Sequence, residues 1–141
     1  MFGGGNLKTL FKMELPLHVM TSPNKKFILN LNQYRNLHYR SLSSAKNKYK
    51  QVVLKKLHKR KHKKIVTKPL TLVYDYWHGS ARRHDVLNQI SIIDKFALDA
   101  LVEGGLIEDD NTDVVKQYII TDRGIDRDNP RAELRIKGYS E

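Results

Sequence analysis

The side chains with the clearest potential for chemistry are the carboxylates of residues 82–110, RRHDVLNQISIIDKFALDALVEGGLIEDD. Asp85 lies near the start of this segment, Asp94 and Asp99 lie within it, and Asp109-Asp110 end it. Carboxylate oxygens are the hard ligands that Mg²⁺ prefers. A divalent ion held by such carboxylates can activate water and stabilise the charge that develops on a phosphodiester during hydrolysis. The segment therefore predicts a divalent-metal site.

The remainder of the chain is strongly basic, and the net charge is +11 over 141 residues. Residues 1–74 contain 17 of the 26 Lys and Arg residues but only one of the 15 acidic residues, Glu14. Such an excess of positive charge favours contact with phosphates. A membrane-surface protein would explain this half and leave the acids of the other half without a role. The combination favours a metal-dependent enzyme that acts on nucleic acid.

A helix must position several of these acids, because apolar residues recur at helical spacing over residues 86–103. At about 100° per residue, Asn88, Lys95 and Asp99 fall within about 40° of one another, opposite the apolar face. Asp94 is rotated by about 100° from Lys95, which makes Asp94 the weaker candidate on this helix. The apolar face consists of Val86, Ile90, Ile93, Ala97 and Leu101.

The other segments predict a single α/β domain, a small mixed sheet with two main helices in the order β-α-β-α-β-β. The first helix starts after Ser43 or Ser44 as N-cap and runs to about residue 64. Residues 30–41 show no clear period, so we expect a loop or the approach to a helix, and residues 1–8 are expected to be flexible. The predicted strands cover residues 10–19, 70–77, 114–121 and 131–137, with a polar loop before the last.

Composition limits the class of protein further. The chain has no cysteine, which excludes disulfides and a thiolate zinc site. The N-terminus lacks a long apolar stretch, so we expect no signal peptide. No run approaches the roughly 18 apolar residues that a membrane helix needs. We therefore expect a cytoplasmic protein.

Three motifs within the acidic segment resemble the RusA-like endodeoxyribonucleases, a family of Holliday-junction resolvases often carried by phages and prophages. They are Asp85-x-x-Asn88, then Lys95-Phe-x-x-Asp99-Ala-Leu, then Gly105-x-x-x-Asp109-Asp110. Asn24 and residues 30–50 also resemble the early loop and first helix of the family, so the resemblance covers most of the chain. Each motif alone is unspecific, whereas the three in this order and spacing are specific.

The chain departs from the family pattern in one motif. The family has a second Asp two residues after the first, and that position is Leu87 here. Asn88 also precedes Lys95 by seven residues, where the family has three. The four additional residues make about one helical turn, so Asn88 still faces the same way as Lys95. Either Asn88 serves as a neutral ligand or Asp94 replaces the missing carboxylate.

The resemblance implies a Mg²⁺-dependent nuclease, with Mn²⁺ as a substitute, that resolves four-way junctions by paired symmetric nicks in DNA recombination and repair. It implies that Asp85 and Asp110 bind the metal and that Lys95 assists catalysis. Asp99 would support the site, and Asp109, the neighbour of a ligand, could also bind the ion. The resemblance further implies a homodimer that binds branched DNA in the bacterial cytoplasm, encoded by a phage or prophage.

The basic run at residues 55–64 is the strongest predicted contact with DNA, because it contains no acid. The simpler interpretation of such a run is a solvated helix face. Tyr34 and Tyr39 are weaker candidates that could stack on unpaired bases. His58 and His62 have a zinc-compatible spacing, but repulsion from the neighbouring cations disfavours a metal ion there. The predicted DNA-binding residues are Lys55, Lys56, Lys59, Arg60, Lys61, Lys63, Lys64, Arg35, Arg40, Arg82 and Arg83.

Simpler interpretations also exist for the acids. Asp85 could only cap the helix, and Asp109-Asp110 could form an ordinary turn. Lys95 and Asp99 could form a surface pair worth about 0.3–0.5 kcal/mol. A non-enzymatic basic nucleic-acid-binding protein would explain the charge but not the acids, and a RusA-like nuclease with flap or fork preference is a third alternative. A simple binding protein would hold DNA in chelator and do nothing more when Mg²⁺ is added.

Overall fold

In the computed structural model, which describes residues 6–81 and 85–139, the chain folds around strand β4 (Leu70–His78). Its aromatic and β-branched residues favour a strand buried on both faces, and the prediction of a strand at residues 70–77 is confirmed. The other strands are β1 (Leu7–Leu15), β2 (His18–Ser22), β3 (Lys25–Ile28), β5 (Val115–Ile125) and β6 (Arg131–Tyr139). The helices are α1 (Leu31–Asn36), α2 (Tyr39–Arg60) and α3 (Val86–Glu103).

The main sheet has the strand order β1-β6-β4-β5. β6 pairs antiparallel with both β1 and β4, whereas β5 pairs parallel with β4 through the α3 crossover. β2 and β3 form a separate hairpin around a turn at Pro23 and Asn24. The prediction of a small mixed sheet with helices in one α/β domain is therefore confirmed.

Helices α2 and α3 pack against each other over the same face of this sheet. The predicted helix at residues 86–103 is confirmed without a change of boundary. Ile90, Ile93, Ala97 and Leu101 of its predicted apolar face are buried, while Val86 is partly buried. In α2, Ala45, Tyr49, Val53 and Leu57 recur at helical spacing and are buried.

The observed order is β-β-β-α-α-β-α-β-β, which keeps the predicted order of the main elements, divides the first strand into β1 and β2, and adds β3 and α1. Part of residues 30–41 forms helix α1, whose N-cap Asn30 accepts a 2.8 Å hydrogen bond from Gln33 N. Helix α2 begins at Tyr39, before the predicted Ser43 or Ser44, because His38 caps it. It ends at Arg60, followed by Lys61 in the left-handed conformation with φ 48°.

The boundaries of the predicted strands also changed at three places. The predicted strand at residues 10–19 is interrupted between β1 and β2, where Pro16 supplies no backbone donor. β5 continues past residue 121 into the predicted loop, because its residues up to Ile125 still pair with β4, and Arg123 also bonds Asp75 of that strand. Leu7 and Lys8 belong to β1 and are not the flexible residues that we expected, while residues 1–5 lie outside the described ranges.

The second face of the sheet carries a buried acid, Asp75, whose side chain is 7% exposed. Arg123 Nε donates to one carboxylate oxygen over 2.8 Å, and Arg135 Nη2 donates to the other over 2.7 Å. Arg123 belongs to β5 and Arg135 to β6, the two strands that flank β4, so the two ion pairs hold both strands to β4. A buried charge that is paired and hydrogen-bonded in this way is part of the fold.

In the described part of the chain, none of the helices combines the length and the apolar character that crossing a bilayer requires.

Candidate metal centre and nucleic-acid interface

Asp85 is the N-cap of α3, and its carboxylate accepts a hydrogen bond of 3.3 Å from Asn88 N. The side chain is exposed, and Asn88 is partly buried on the first turn of the helix. The simpler interpretation of Asp85, helix capping, is therefore confirmed, and a capping carboxylate still has lone pairs for a further ligand. The predicted DNA contacts Arg82 and Arg83 lie outside the described residues.

Asp94 is the acid of α3 that faces the sheet. Tyr74 of β4 donates a 2.5 Å hydrogen bond to Oδ1, and Tyr118 of β5 donates a 3.0 Å hydrogen bond to Oδ2. Tyr74 is fully buried, whereas Tyr118 is 44% exposed at the edge of the sheet. Both oxygens of Asp94 are thus held in fixed positions at the border between the core and solvent.

Burial raises the pKa of Asp94 above its usual value, and the negative charges of Asp110 and Asp99 raise it further. The hydrogen bonds from Tyr74 and Tyr118 act in the opposite direction. In the described ranges, no Lys, Arg or His lies within ion-pair distance of these three acids. On a chain of net charge +11, an acidic group without a cation needs an explanation.

The loop after α3 brings Asp110 to this group. Gly105, with φ 78°, ends the helix, and Leu106 N donates to Leu101 O over 2.9 Å. Asp109 accepts hydrogen bonds from Asp110 N and from the side chain of Asn111, so the expected acidic turn is present. Burial raises the pKa of Asp110, and Asp109 and Asp99 add to this effect.

The predicted ligands thus fall into two places. The charges of Asp99 and Asp110 raise the pKa of Asp94, and the charge of Asp99 raises the pKa of Asp110, so we call these three acids the acidic group. Asp85 precedes Asp94 by nine residues of helix, which is about 13 Å along the axis. Oxygens that share one Mg²⁺ lie within about 4 Å of each other, since each is about 2.1 Å from the ion. Asp85 and Asp94 therefore do not meet at one ion in this conformation, and no three described His, Asp or Glu side chains form a ready metal-binding group.

The solvent-facing side of α3 carries Lys95 and Asp99, both exposed. Asp99 also lines a cleft of about 200 Å³ between α3 and α2, which holds acids and cations together. Within it, Lys50 Nζ lies 3.3 Å from Glu103. The residues that line the cleft are Lys46, Asn47, Lys50, Phe96, Asp99 and Glu103. No pattern in the sequence places Lys46 and Lys50 beside the acidic segment.

The predicted basic run divides into two groups. Lys55, Lys59, Lys61, Lys63 and Lys64 are exposed to solvent. Lys56 instead donates to the Glu14 carbonyl over 2.7 Å, and Arg60 donates to the Lys12 carbonyl. These two cations fasten α2 to β1, and burial lowers the pKa of Lys56. The first group offers free positive charge, and the second serves the fold.

The segment around α1 offers one exposed aromatic ring. Tyr39 is 66% exposed, with the Arg40 guanidinium 5.9 Å from its ring centre. Tyr34 packs instead on the core residue Phe96, with ring centres 6.3 Å apart. Arg35 is exposed. Of the two tyrosines suggested for stacking on bases, Tyr39 alone presents its ring to solvent.

His58 and His62 line a second cleft, together with Lys61 and Glu103. His62 Nδ1 lies 2.9 Å from the Lys63 carbonyl oxygen, and its ring packs edge-on to Phe11. The sequence placed no acid near this histidine pair, and Glu103 of α3 is brought there by the fold.

No protein-family model matches the chain, and no curated protein sequence matches it significantly. The resemblance to RusA-like nucleases therefore rests on the motif residues themselves.

Proposed function

We propose that this chain is a Mg²⁺-dependent endonuclease that cleaves branched DNA and acts as a homodimer, as RusA-like resolvases do. One observation carries the proposal: on a chain of net charge +11, no Lys, Arg or His of residues 6–81 and 85–139 lies within ion-pair distance of Asp94, Asp99 or Asp110. A basic protein that only bound DNA would have no use for such a group. A divalent cation would relieve the mutual repulsion of these carboxylates.

The donor set suits a hard cation. The candidate ligands are carboxylate oxygens, and Tyr74 and Tyr118 orient those of Asp94 through two hydrogen bonds. Such outer partners fix the direction in which a ligand presents its lone pairs. Bound there, Mg²⁺ would supply an activated water and charge stabilisation at the scissile phosphate.

The other residues of the site would bind and orient the substrate. Lys95 is exposed on the same helix and can neutralise a phosphate oxygen. The free lysines of α2 extend the contact along the DNA backbone. Asp99 borders both the acidic group and the cleft between the helices.

The role of Asp85 separates two possible ligand sets. The resemblance makes Asp85 a ligand together with Asp110, whereas the effect of Asp110 on the pKa of Asp94 favours Asp94 as its partner. Asp85 can join that group only if the start of α3 moves relative to the loop at Asp110. We therefore propose Asp94 and Asp110 as the principal ligands, with Asp85 capping the helix and contributing only after such a movement.

The test uses a synthetic four-way junction with and without Mg²⁺. Wild-type protein should cut it in Mg²⁺ or Mn²⁺ and only bind it in EDTA, and Asp110→Asn should bind but not cut. Asp128→Asn, an exposed acid of the β5–β6 loop, is the matched control and should cut normally. Binding without cleavage by the wild type in either metal would favour the non-enzymatic alternative. Flap and fork substrates in the same assay decide the preferred structure.

A further inference from the structure

The two edges of the main sheet differ in how they are protected. At the β1 edge, Lys56 and Arg60 donate to the carbonyls of Glu14 and Lys12. At the β5 edge, no strand of residues 6–81 and 85–139 pairs with the outer side. Natural proteins usually cover, charge or shorten such an edge, since it is a template for pairing with another chain. β5 has 11 residues and is therefore a long edge strand.

The outer strand also exposes apolar side chains on both of its faces. Tyr118 is 44% exposed on the helix side, and Ile119 is 41% exposed on the opposite side. Register shifts relative to β4 lie on both sides of residues 117–122, so these residues form the regular part of the strand. A regular, apolar edge of this kind fits an extended partner strand.

We propose that the outer edge of β5 pairs antiparallel with β5 of a second copy of this chain, around a two-fold axis at Ile119. This inference rests on the homodimer in the proposed function, but it does not depend on cleavage. A two-fold axis makes the interface self-complementary, because each residue i meets residue j and each j meets i. In an antiparallel ladder, two directly opposite residues either both exchange backbone hydrogen bonds or both do not, and this property alternates along each strand. A residue can therefore lie opposite the same residue of the other copy but not opposite its neighbour, so the two-fold axis passes through a residue and not between two.

Charge selects the register. With the axis at Ile119, Lys116 of each copy, which lies at the register shift next to residues 117–122, comes beside Asp122 of the other, which gives two attractive pairs. An axis at Tyr118 places Lys116 opposite Ile120, and an axis at Ile120 places it opposite Gly124. Opposite charges across a strand pair stabilise it. The Asp122 side chain lies 2.9 Å from His78 Nε2 and is 53% exposed, so it can also meet a lysine from outside.

The proposed dimer has a consequence for the acidic group. Antiparallel pairing at one edge joins the four strands of each copy into one continuous sheet, with both α3 helices on the same face. Tyr118, which bonds Asp94, would pack opposite Ile120 of the other copy. Two acidic groups would then flank the two-fold axis on one surface, which suits two nicks in one DNA molecule.

The first test is a charge exchange measured by sedimentation or light scattering. Wild-type protein should be a dimer of the 16.4 kDa chain. Lys116→Asp and Asp122→Lys should each weaken dimerisation by about tenfold, because each places like charges opposite one another twice. Mixing the two variants should restore the dimer, since both pairs are then attractive. Lys8→Asp, an equal charge change on β1, is the control and should dimerise like the wild type.

The second test uses the absence of cysteine from the chain. Ile119→Cys should form a disulfide-linked dimer on mild oxidation, because directly opposite residues have Cα atoms about 4.5–5.5 Å apart. Lys8→Cys should not. A monomeric wild type, no recovery on mixing, or equal oxidation of both cysteine variants would overturn the interface. If the dimer behaves as expected but no DNA is cut in Mg²⁺, the proposed function fails and the interface stands.

Discussion

Two carboxylates on opposite faces of β4 show how the same chemical group serves different purposes. Asp75 is buried on one face, where Arg123 and Arg135 neutralise it and satisfy both of its oxygens. Asp94 reaches the other face, where it meets the hydroxyls of Tyr74 and Tyr118 and the charges of Asp99 and Asp110. The first charge is compensated within the fold, so its role is structural. The second has no ion-pair partner among the residues that the structure describes, so we propose that it takes a cation from solution.

The largest expected effect is the loss of cleavage on changing Asp94. Asp94→Asn should lower Mg²⁺-dependent cleavage of a four-way junction by about 100-fold, because a carboxylate ligand becomes a neutral amide. Asn88→Ala should lower it less, since Asn88 lies on the first turn with Asp85 and away from the acidic group. Single-turnover cleavage with measured junction binding gives the ranking. A larger loss of cleavage in Asn88→Ala than in Asp94→Asn would indicate that the metal site lies at Asp85.

The second effect concerns stability, and it belongs to Asp75. Asp75→Asn should destabilise the fold by about 2–4 kcal/mol, because two arginines lose their buried charge partner. The figure is below that for a fully buried pair, since the Arg123 side chain is 47% exposed. Urea unfolding of the variant beside Asp94→Asn is the measurement. Equal stability of the two variants would remove the distinction between a structural and a functional acid.

A smaller effect on cleavage is expected when Asp94 keeps its carboxylate but loses one of its two hydrogen-bond donors. Tyr118→Phe removes the 3.0 Å hydrogen bond to Oδ2 and should lower cleavage by about tenfold through weaker metal binding. Raising the Mg²⁺ concentration should restore much of the activity. Tyr49→Phe, which removes a hydroxyl bonded to the Pro16 carbonyl, is the control for the loss of a tyrosine hydroxyl. An unchanged Mg²⁺ requirement in Tyr118→Phe would mean that the hydroxyl only fills space.

The same division between compensated and free charge applies to the cations of residues 55–64. Changing Lys55, Lys59 and Lys63 to Gln should reduce the slope of log K against log salt by about 0.9 for each phosphate that the protein no longer neutralises. Lys56→Gln should act mainly on stability, because that side chain bonds the Glu14 carbonyl. Duplex binding at several salt concentrations tests both. An equal change of slope for Lys56 would mean that it leaves β1 to bind DNA.

The smallest expected effect is a pH dependence of stability in EDTA. The raised pKa of Asp94 means that the folded state binds its proton more tightly than the unfolded state does, whose value is near 3.8. Its contribution is therefore fully present below pH 3.8 and is lost as pH rises through the raised pKa. Relative to Asp94→Asn, wild-type protein should lose stability over this range. Parallel pH profiles of the two proteins would show that burial does not act on this carboxyl.

Several elements were predictable from residues close together in the chain. The period of about 3.6 residues located α3 with the correct ends, and the apolar run located β4. The uneven distribution of Lys, Arg, Asp and Glu is also a property of the sequence alone. These features depend on local backbone preference and composition, which require no knowledge of distant neighbours.

The tertiary structure decided which of these residues meet. Helical angles placed Asp94 away from Lys95, but they could not indicate that Tyr74 and Tyr118, 20 and 24 residues away, would bind it. They also could not separate Lys56, which bonds β1, from the free Lys55 beside it. Periodicity fixes the direction of a side chain relative to its own helix, whereas its partners depend on how the helix packs on the sheet. For that reason the sequence predicted an acidic site, whereas which acids approach one another depends on the fold.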